Sequence, residues 1–213
     1  FDGEGALLEK YLGLHGERSW YRFSSGPVDV FVLNSCYAFE RDKRVAQVLW
    51  LRDELKRAER ERPDAWRLVL FHHPPYSLGV GHAPWFWKRE YEVMRRYYVP
   101  AFEELGVDLV LSGHTHLYER SLKDGVHYVV GGAAGGIMGW FGGDNPYSQV
   151  AKQLRTVSHV EASAERLDLV TESLSGEVVD RLRLERPRAK DLLLQVANED
   201  KSATAIPKGV PAR

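Results

Sequence analysis

Leu109-Val110-Leu111-Ser112-Gly113-His114-Thr115-His116-Leu117-Tyr118-Glu119-Arg120 is the stretch from which the organisation of the chain can be read. Its leading apolar run has the pattern of a short buried strand. Gly113 interrupts that run and lets the backbone turn. His114 and His116 then stand just past the carboxyl end of the strand, the edge at which open α/β sheets place their ligands. Neutral imidazole is the commonest metal ligand. Alone, a His-x-His pair reads equally well as two turn histidines.

A second stretch breaks that tie. Arg67 to Tyr76 reads Arg-Leu-Val-Leu-Phe-His-His-Pro-Pro-Tyr. Leu68 to Phe71 is again a short apolar run, His72 and His73 follow it, and Pro74-Pro75 stop any continuation. Two strands separated by a helical segment thus both end in histidines. If they are parallel neighbours, the imidazoles converge on one sheet edge and form a candidate metal site.

Working outward, Trp20, Tyr21 and Phe23 form an aromatic strand, Ser25-Gly26-Pro27 a turn, and Val28 to Leu33 a second strand, together a hairpin. Ala6 to Leu14 has helical spacing. Val45 to Glu61 is an amphipathic helix with Val45, Val48, Leu49 and Leu55 as its buried stripe. Ser77 to Lys88 reads as a loop rich in Gly and aromatics, and Glu90 to Leu105 as a helix that Pro100 kinks or splits. Leu117 to Leu122 and Val126 to Val130 pair around Lys123-Asp124-Gly125. Gly131 to Gly143 is glycine-rich but lacks the lysine of a phosphate loop. Val157 to Ala162, Leu167 to Thr171 and Val178 to Leu184 are further strands, and residues 187–213 read as a tail or linker. Alternating strands and helices followed by antiparallel strands predict two packed sheets with helices outside.

Composition excludes several classes. The 213 residues carry 29 Lys and Arg against 30 Asp and Glu, a formal net charge of −1, so there is no electrostatic case for nucleic acid or an anionic membrane. Cys36 is the only cysteine, which excludes a thiolate cluster and an internal disulfide; it is expected to be a small buried residue near a strand end. No apolar stretch reaches membrane-spanning length, and no signal peptide is visible.

Phe71-His72-His73-Pro74-Pro75-Tyr76 followed by Gly113-His114-Thr115-His116-Leu117-Tyr118-Glu119-Arg120 resembles the calcineurin-like metallophosphoesterases, and most of all their purple acid phosphatase branch. The resemblance covers roughly residues 18–185. It implies a four-layer α/β/β/α sandwich and a two-metal site holding Fe, Zn or Mn. His72 and His114 would ligate one metal and His116 the other. His73, Tyr76 and Tyr118 would lie behind the ligands or at the substrate, and His82 would face the substrate as the proton donor. Two cations close together acidify a water held between them and neutralise phosphoryl oxygens. The implied substrate is a small phosphate monoester. A phosphodiesterase or nucleotide hydrolase on the same fold, and a non-catalytic binding module, are the alternatives.

The Asp-x-His, Gly-Asp and Gly-Asn-His blocks that open the family pattern are not among these residues. The expectation is therefore that residues 1–186 are the carboxyl-terminal portion of a phosphoesterase domain, incomplete at its amino end and inactive on its own. Many relatives of the branch are exported, which leaves secretion or a periplasmic location open. Oligomeric state is not legible.

Overall fold

A computed structural model of the chain describes residues 19–80 and 84–186. The helix expected over Ala6 to Leu14, the tail from residue 187 and His82 lie outside the described residues. In chain order the elements are β1 (Tyr21–Ser25), β2 (Val28–Val32), α1 (Arg41–Glu61), β3 (Trp66–Leu70), β4 (Gly79–Val80), α2 (Pro84–Tyr97), α3 (Val99–Glu104), β5 (Leu109–Ser112), β6 (Tyr118–Lys123) and β7 (Val126–Gly131). They continue with β8 (Trp140–Phe141), β9 (Ser148–Lys152), β10 (Thr156–Ala162), β11 (Arg166–Ser173) and β12 (Val178–Glu185).

Seven strands form one sheet in the order β1-β2-β3-β5-β7-β6-β9, and β10-β11-β12 form a second. β2, β3, β5 and β7 run parallel. Parallel neighbours need crossover connections: α1 lies between β2 and β3, α2 and α3 lie between β3 and β5, and β6 lies between β5 and β7. Alternation along each strand sorts the side chains into two cores. Phe31, Val69, Val110 and Tyr128 face the helices, packing with Leu51, Leu55, Met94, Tyr98 and Phe102. Leu68, Leu109, Tyr118 and Val129 face the other way and meet Leu167, Leu169 and Leu182 of the small sheet. The described residues therefore supply a helical layer and two sheet layers of the expected sandwich.

The hairpins, the parallel pairing of β3 with β5, and the split at Pro100 follow the sequence expectation. Pro100 sits in the first turn of α3, where its missing N–H leaves no helical bond unmade.

Three expectations are corrected. The buried stripe of α1 is Gln47, Leu51, Leu55 and Ala58, whereas Val45 and Leu49 are 48% and 58% exposed. Gln47 takes the inward place because its amide is satisfied at both ends: Asn34 N–H donates to its Oε1 at 3.0 Å, and its Nε2 donates to the Asn34 carbonyl at 3.1 Å. Cys36 is exposed, because the short 3-10 turn Ser35–Phe39 buries Ser35 and Ala38 and turns Cys36 outward. The Ser77 to Lys88 segment is not all loop: it holds β4, which pairs with β8, and the start of α2. β9 was not anticipated; it is an edge strand, and its side chains are half-buried or exposed.

The packing makes a checkable distinction between two leucines of α1. Leu55→Ala should cost about 2–5 kcal/mol of unfolding free energy in a denaturant titration, whereas Leu49→Ala should change it by less than about 0.5 kcal/mol. Equal costs would place the stripe wrongly.

Candidate metal centre

The site begins with backbone hydrogen bonds. The β3–β5 pairing continues past the strand ends: Phe71 N–H donates to Leu111 O at 3.1 Å, and Gly113 N–H donates to His72 O at 3.0 Å. Residues 72 and 114 are thereby held side by side. His114 adopts φ +70°, a left-handed conformation unusual outside glycine. His72 Nε2 and His114 Nδ1 come within 3.0 Å of each other. One ring nitrogen from each of His72, His73 and His114 lies within 4.8 Å of the others.

The hydrogen-bond network assigns the tautomers. Ser35 Oγ accepts from the backbone N–H of His72 at 3.2 Å and of His73 at 3.0 Å. Its single proton is then left for His73 Nδ1, 2.8 Å away. His73 has spent that lone pair on Ser35, and its Nε2 carries the hydrogen. His116 Nδ1 is 2.6 Å from the Ile137 carbonyl, which can only accept. The His116 proton therefore sits on Nδ1, and Nε2 is left with a lone pair.

The glycine-rich segment has a role that sequence reading did not give it. Gly139 N–H donates to His116 O at 2.9 Å. A Cβ on Gly136 would lie only 2.2 Å from Cε1 of the His116 ring. The segment is thus a cradle shaped around one imidazole.

Burial keeps the ring nitrogens neutral. It lowers the His114 pKa to about 3, helped by the charges of His73, His72 and His116. It lowers His73 to about 4, helped by His72. His72 is also depressed, first by burial and then by His116. At neutral pH the site offers uncharged imidazoles, the form that binds cations.

One carboxylate joins them. Glu90 is 3% exposed; its Oε2 lies 2.8 Å from His114 Nε2 and its Oε1 3.6 Å from His73 Nε2. Burial raises its pKa to about 7. Sequence reading missed Glu90, yet a signal existed: it stands four and eight residues before Met94 and Tyr98, on the apolar face of α2.

The other expected residues go elsewhere. Tyr76 packs edge-on against Tyr128 and Tyr147 in the helix-side core. Tyr118 is fully buried between the sheets and donates to Asp180 Oδ2 at 2.7 Å. Glu119, on the opposite face of β6, is a buried node: Ser77 Oγ, Leu78 N–H and Asn145 Nδ2 donate to it at 2.9, 2.7 and 2.7 Å. It ties the segment after the His72-His73 block to the segment before β9.

Two outcomes follow for the chelator-treated chain. Below pH 6.5 the unfolded chain takes up protons on His73 and His114 that the folded chain, with pKa values of about 4 and 3, does not. Glu90, at about 7 when folded, runs the other way, but it is one group against two. Stability should therefore fall as pH drops from 6.5 to 4.5, and His114→Asn should flatten that fall; a wild-type profile as flat as the variant's would refute it. Gly136→Ala should lower unfolding free energy by about 1–3 kcal/mol through collision with the His116 ring. An unchanged unfolding midpoint would show that the cradle is loose.

Comparison with known proteins gives this geometry a family. Residues 2–118 match the calcineurin-like phosphoesterase family. Phosphoenolpyruvate phosphatase of Allium cepa is 38% identical over 104 residues, 49% of this chain and 20% of that protein. Purple acid phosphatase 1 of Ipomoea batatas is 35% identical over 106 residues, 50% of this chain and 21% of that protein. The chain thus spans about a fifth of the length of these curated relatives. The structure of purple acid phosphatase PPD1 from yellow lupin superposes with a TM-score of 0.65 at 18% identity, covering 92% of this chain and 36% of that one. GAP50, the anchor in the inner membrane complex of Plasmodium, does so with a TM-score of 0.64 at 18% identity, covering 93% and 66%. At such identity the likeness is one of fold. Both histidine blocks fall inside the matched span, and the chain belongs to the calcineurin-like phosphoesterase family, with purple acid phosphatases as its relatives.

Proposed function

We propose that this chain carries the histidine side of a two-metal centre that hydrolyses small phosphate monoesters. The observation that carries the reading is the approach of His72 Nε2 to His114 Nδ1, 3.0 Å apart, both rings held neutral. Two neutral nitrogens facing each other repel unless a proton or a cation lies between them, and the donor set suits Fe or Zn. His72 and His114 would hold one ion. His116, with Nδ1–H bound to the Ile137 carbonyl, would offer Nε2 to the second. When bound, the cations supply Lewis acidity toward water and the phosphoryl oxygens.

The chain's own residues do the rest. His73 is locked by Ser35 and so would act behind the ligands, positioning His72 and filling the space beside it. Gly136 and Gly139 fix the second imidazole. His82 is our candidate for delivering the proton to the leaving oxygen. A phosphomonoester fits the phosphatases among the relatives. Balanced charge gives no support to a nucleic-acid substrate. The gathered imidazoles favour catalysis over a purely binding role, which needs no such cluster.

The test uses the protein that carries this chain. It should hydrolyse an aryl phosphate faster than a bis-aryl phosphate and lose that activity to a chelator. His114→Ala should lower kcat/KM by at least about 100-fold. Unchanged turnover in His114→Ala would remove the metal assignment, and preference for the diester would move the substrate class.

A further inference from the structure

The carboxylate of Glu90 has no part in the reading above, and its surroundings ask for one. It is buried, it comes from a different element than the histidines, and its oxygens approach His114 Nε2 and His73 Nε2. A buried carboxyl group needs a hydrogen-bond partner. His114 Nε2, at 2.8 Å, is that partner.

We infer that Glu90 is the positioning residue that fixes His114 as the Nε2–H tautomer, so that Nδ1 is the atom presented to the metal. The inference rests on the metal-site reading of His72 and His114. A proton on Nδ1 would point at His72 Nε2, 3.0 Å away, and would close the space in which a cation sits. A proton on Nε2 opens it, and only an acceptor at Nε2 selects that form. The longer approach of Oε1 to His73 Nε2, at 3.6 Å, directs a second N–H toward the same carboxylate. The left-handed backbone at His114 is consistent with this role. The main chain accepts an unfavourable conformation there, and the ring it carries is held at Nε2 by Glu90. Histidine ligands held at the second nitrogen by a carboxylate are oriented and made more basic, and loss of such a partner weakens metal binding by about 10–100-fold.

Two measurements test this. Long-range proton–nitrogen correlation spectra of the imidazoles in the metal-free wild-type chain read the tautomer of His114 directly. Nε2–H is expected, and Nδ1–H would overturn the proposal whatever the variants do. Cobalt(II) titration followed by visible absorption then compares variants. Glu90→Ala should bind about 10–100-fold more weakly than wild type, and Glu90→Gln, which keeps an acceptor oxygen, should stay within about threefold of it. Wild-type affinity in Glu90→Ala, or equal loss in both variants, would overturn the assignment. His114→Ala separates the two levels. If it binds cobalt(II) as well as wild type, the metal site itself is misplaced. If it loses binding while Glu90→Ala does not, only the role of Glu90 falls.

Discussion

Everything at the candidate site depends on one short set of backbone hydrogen bonds, those that keep β3 and β5 paired beyond their last regular residues. Strand pairing fixes register, and register fixes which side chains emerge together at the sheet edge. Leu70 lies opposite Leu111, so the next turns of the two chains leave the sheet at the same level. Gly113 N–H bonded to His72 O extends that alignment to the histidines. A slip of one residue would exchange the two faces of a strand and separate the imidazoles. The apolar runs before each histidine block are therefore the device that brings the ring nitrogens together, as well as core filling.

The Tyr118-Glu119-Arg120 run shows how the same alternation stabilises the surroundings. Tyr118 and Arg120 share one face of β6 and both reach Asp180 of β12, at 2.7 and 2.6 Å. This clamps the small sheet to the large one. Glu119 points the opposite way and gathers Ser77, Leu78 and Asn145. A strand that starts two residues after His116 thus anchors the sheet sandwich on one side and the segments around the site on the other. Buried polar groups of this kind hold their neighbours only when fully satisfied. Glu119 meets that condition with donors on both oxygens.

Sequence carried the parts of this arrangement that depend on period and residue type. Two apolar runs ending in histidines and glycine, hairpins around Gly26 and Gly125, and a proline that splits a helix all have local physical signatures. What it hid depends on tertiary partners. Gln47 entered a stripe expected to hold Val45, Val48, Leu49 and Leu55, because Asn34, thirteen residues away, satisfies its amide. Glu90 entered the sequence reading only as the first residue of a helix, and the packing of α2 against the sheet edge shows the carboxylate entering the imidazole cluster. The glycine-rich segment carried no motif, since its requirement is space around the His116 ring and not a charge to bind. Cys36 was misread because a short turn, capped by Asn34, decides its orientation.

The site is costly to the fold in a specific way. Neutral imidazoles are crowded out of water, a carboxylate is buried among them, and His114 holds a left-handed backbone. Each of these opposes folding. Structures retain such features where another requirement over-determines them. For the proposed metal centre the requirement is geometric. The nitrogens must face each other, their protons must be directed away, and each ring must be fixed from behind. Ser35 does this for His73, Glu90 for His114, and Ile137 with Gly136 for His116. His73, His114 and His116 are thus each restrained from a separate part of the chain, an arrangement that core packing does not require. That is the physical argument for the proposed metal centre over a group of satisfied turn histidines.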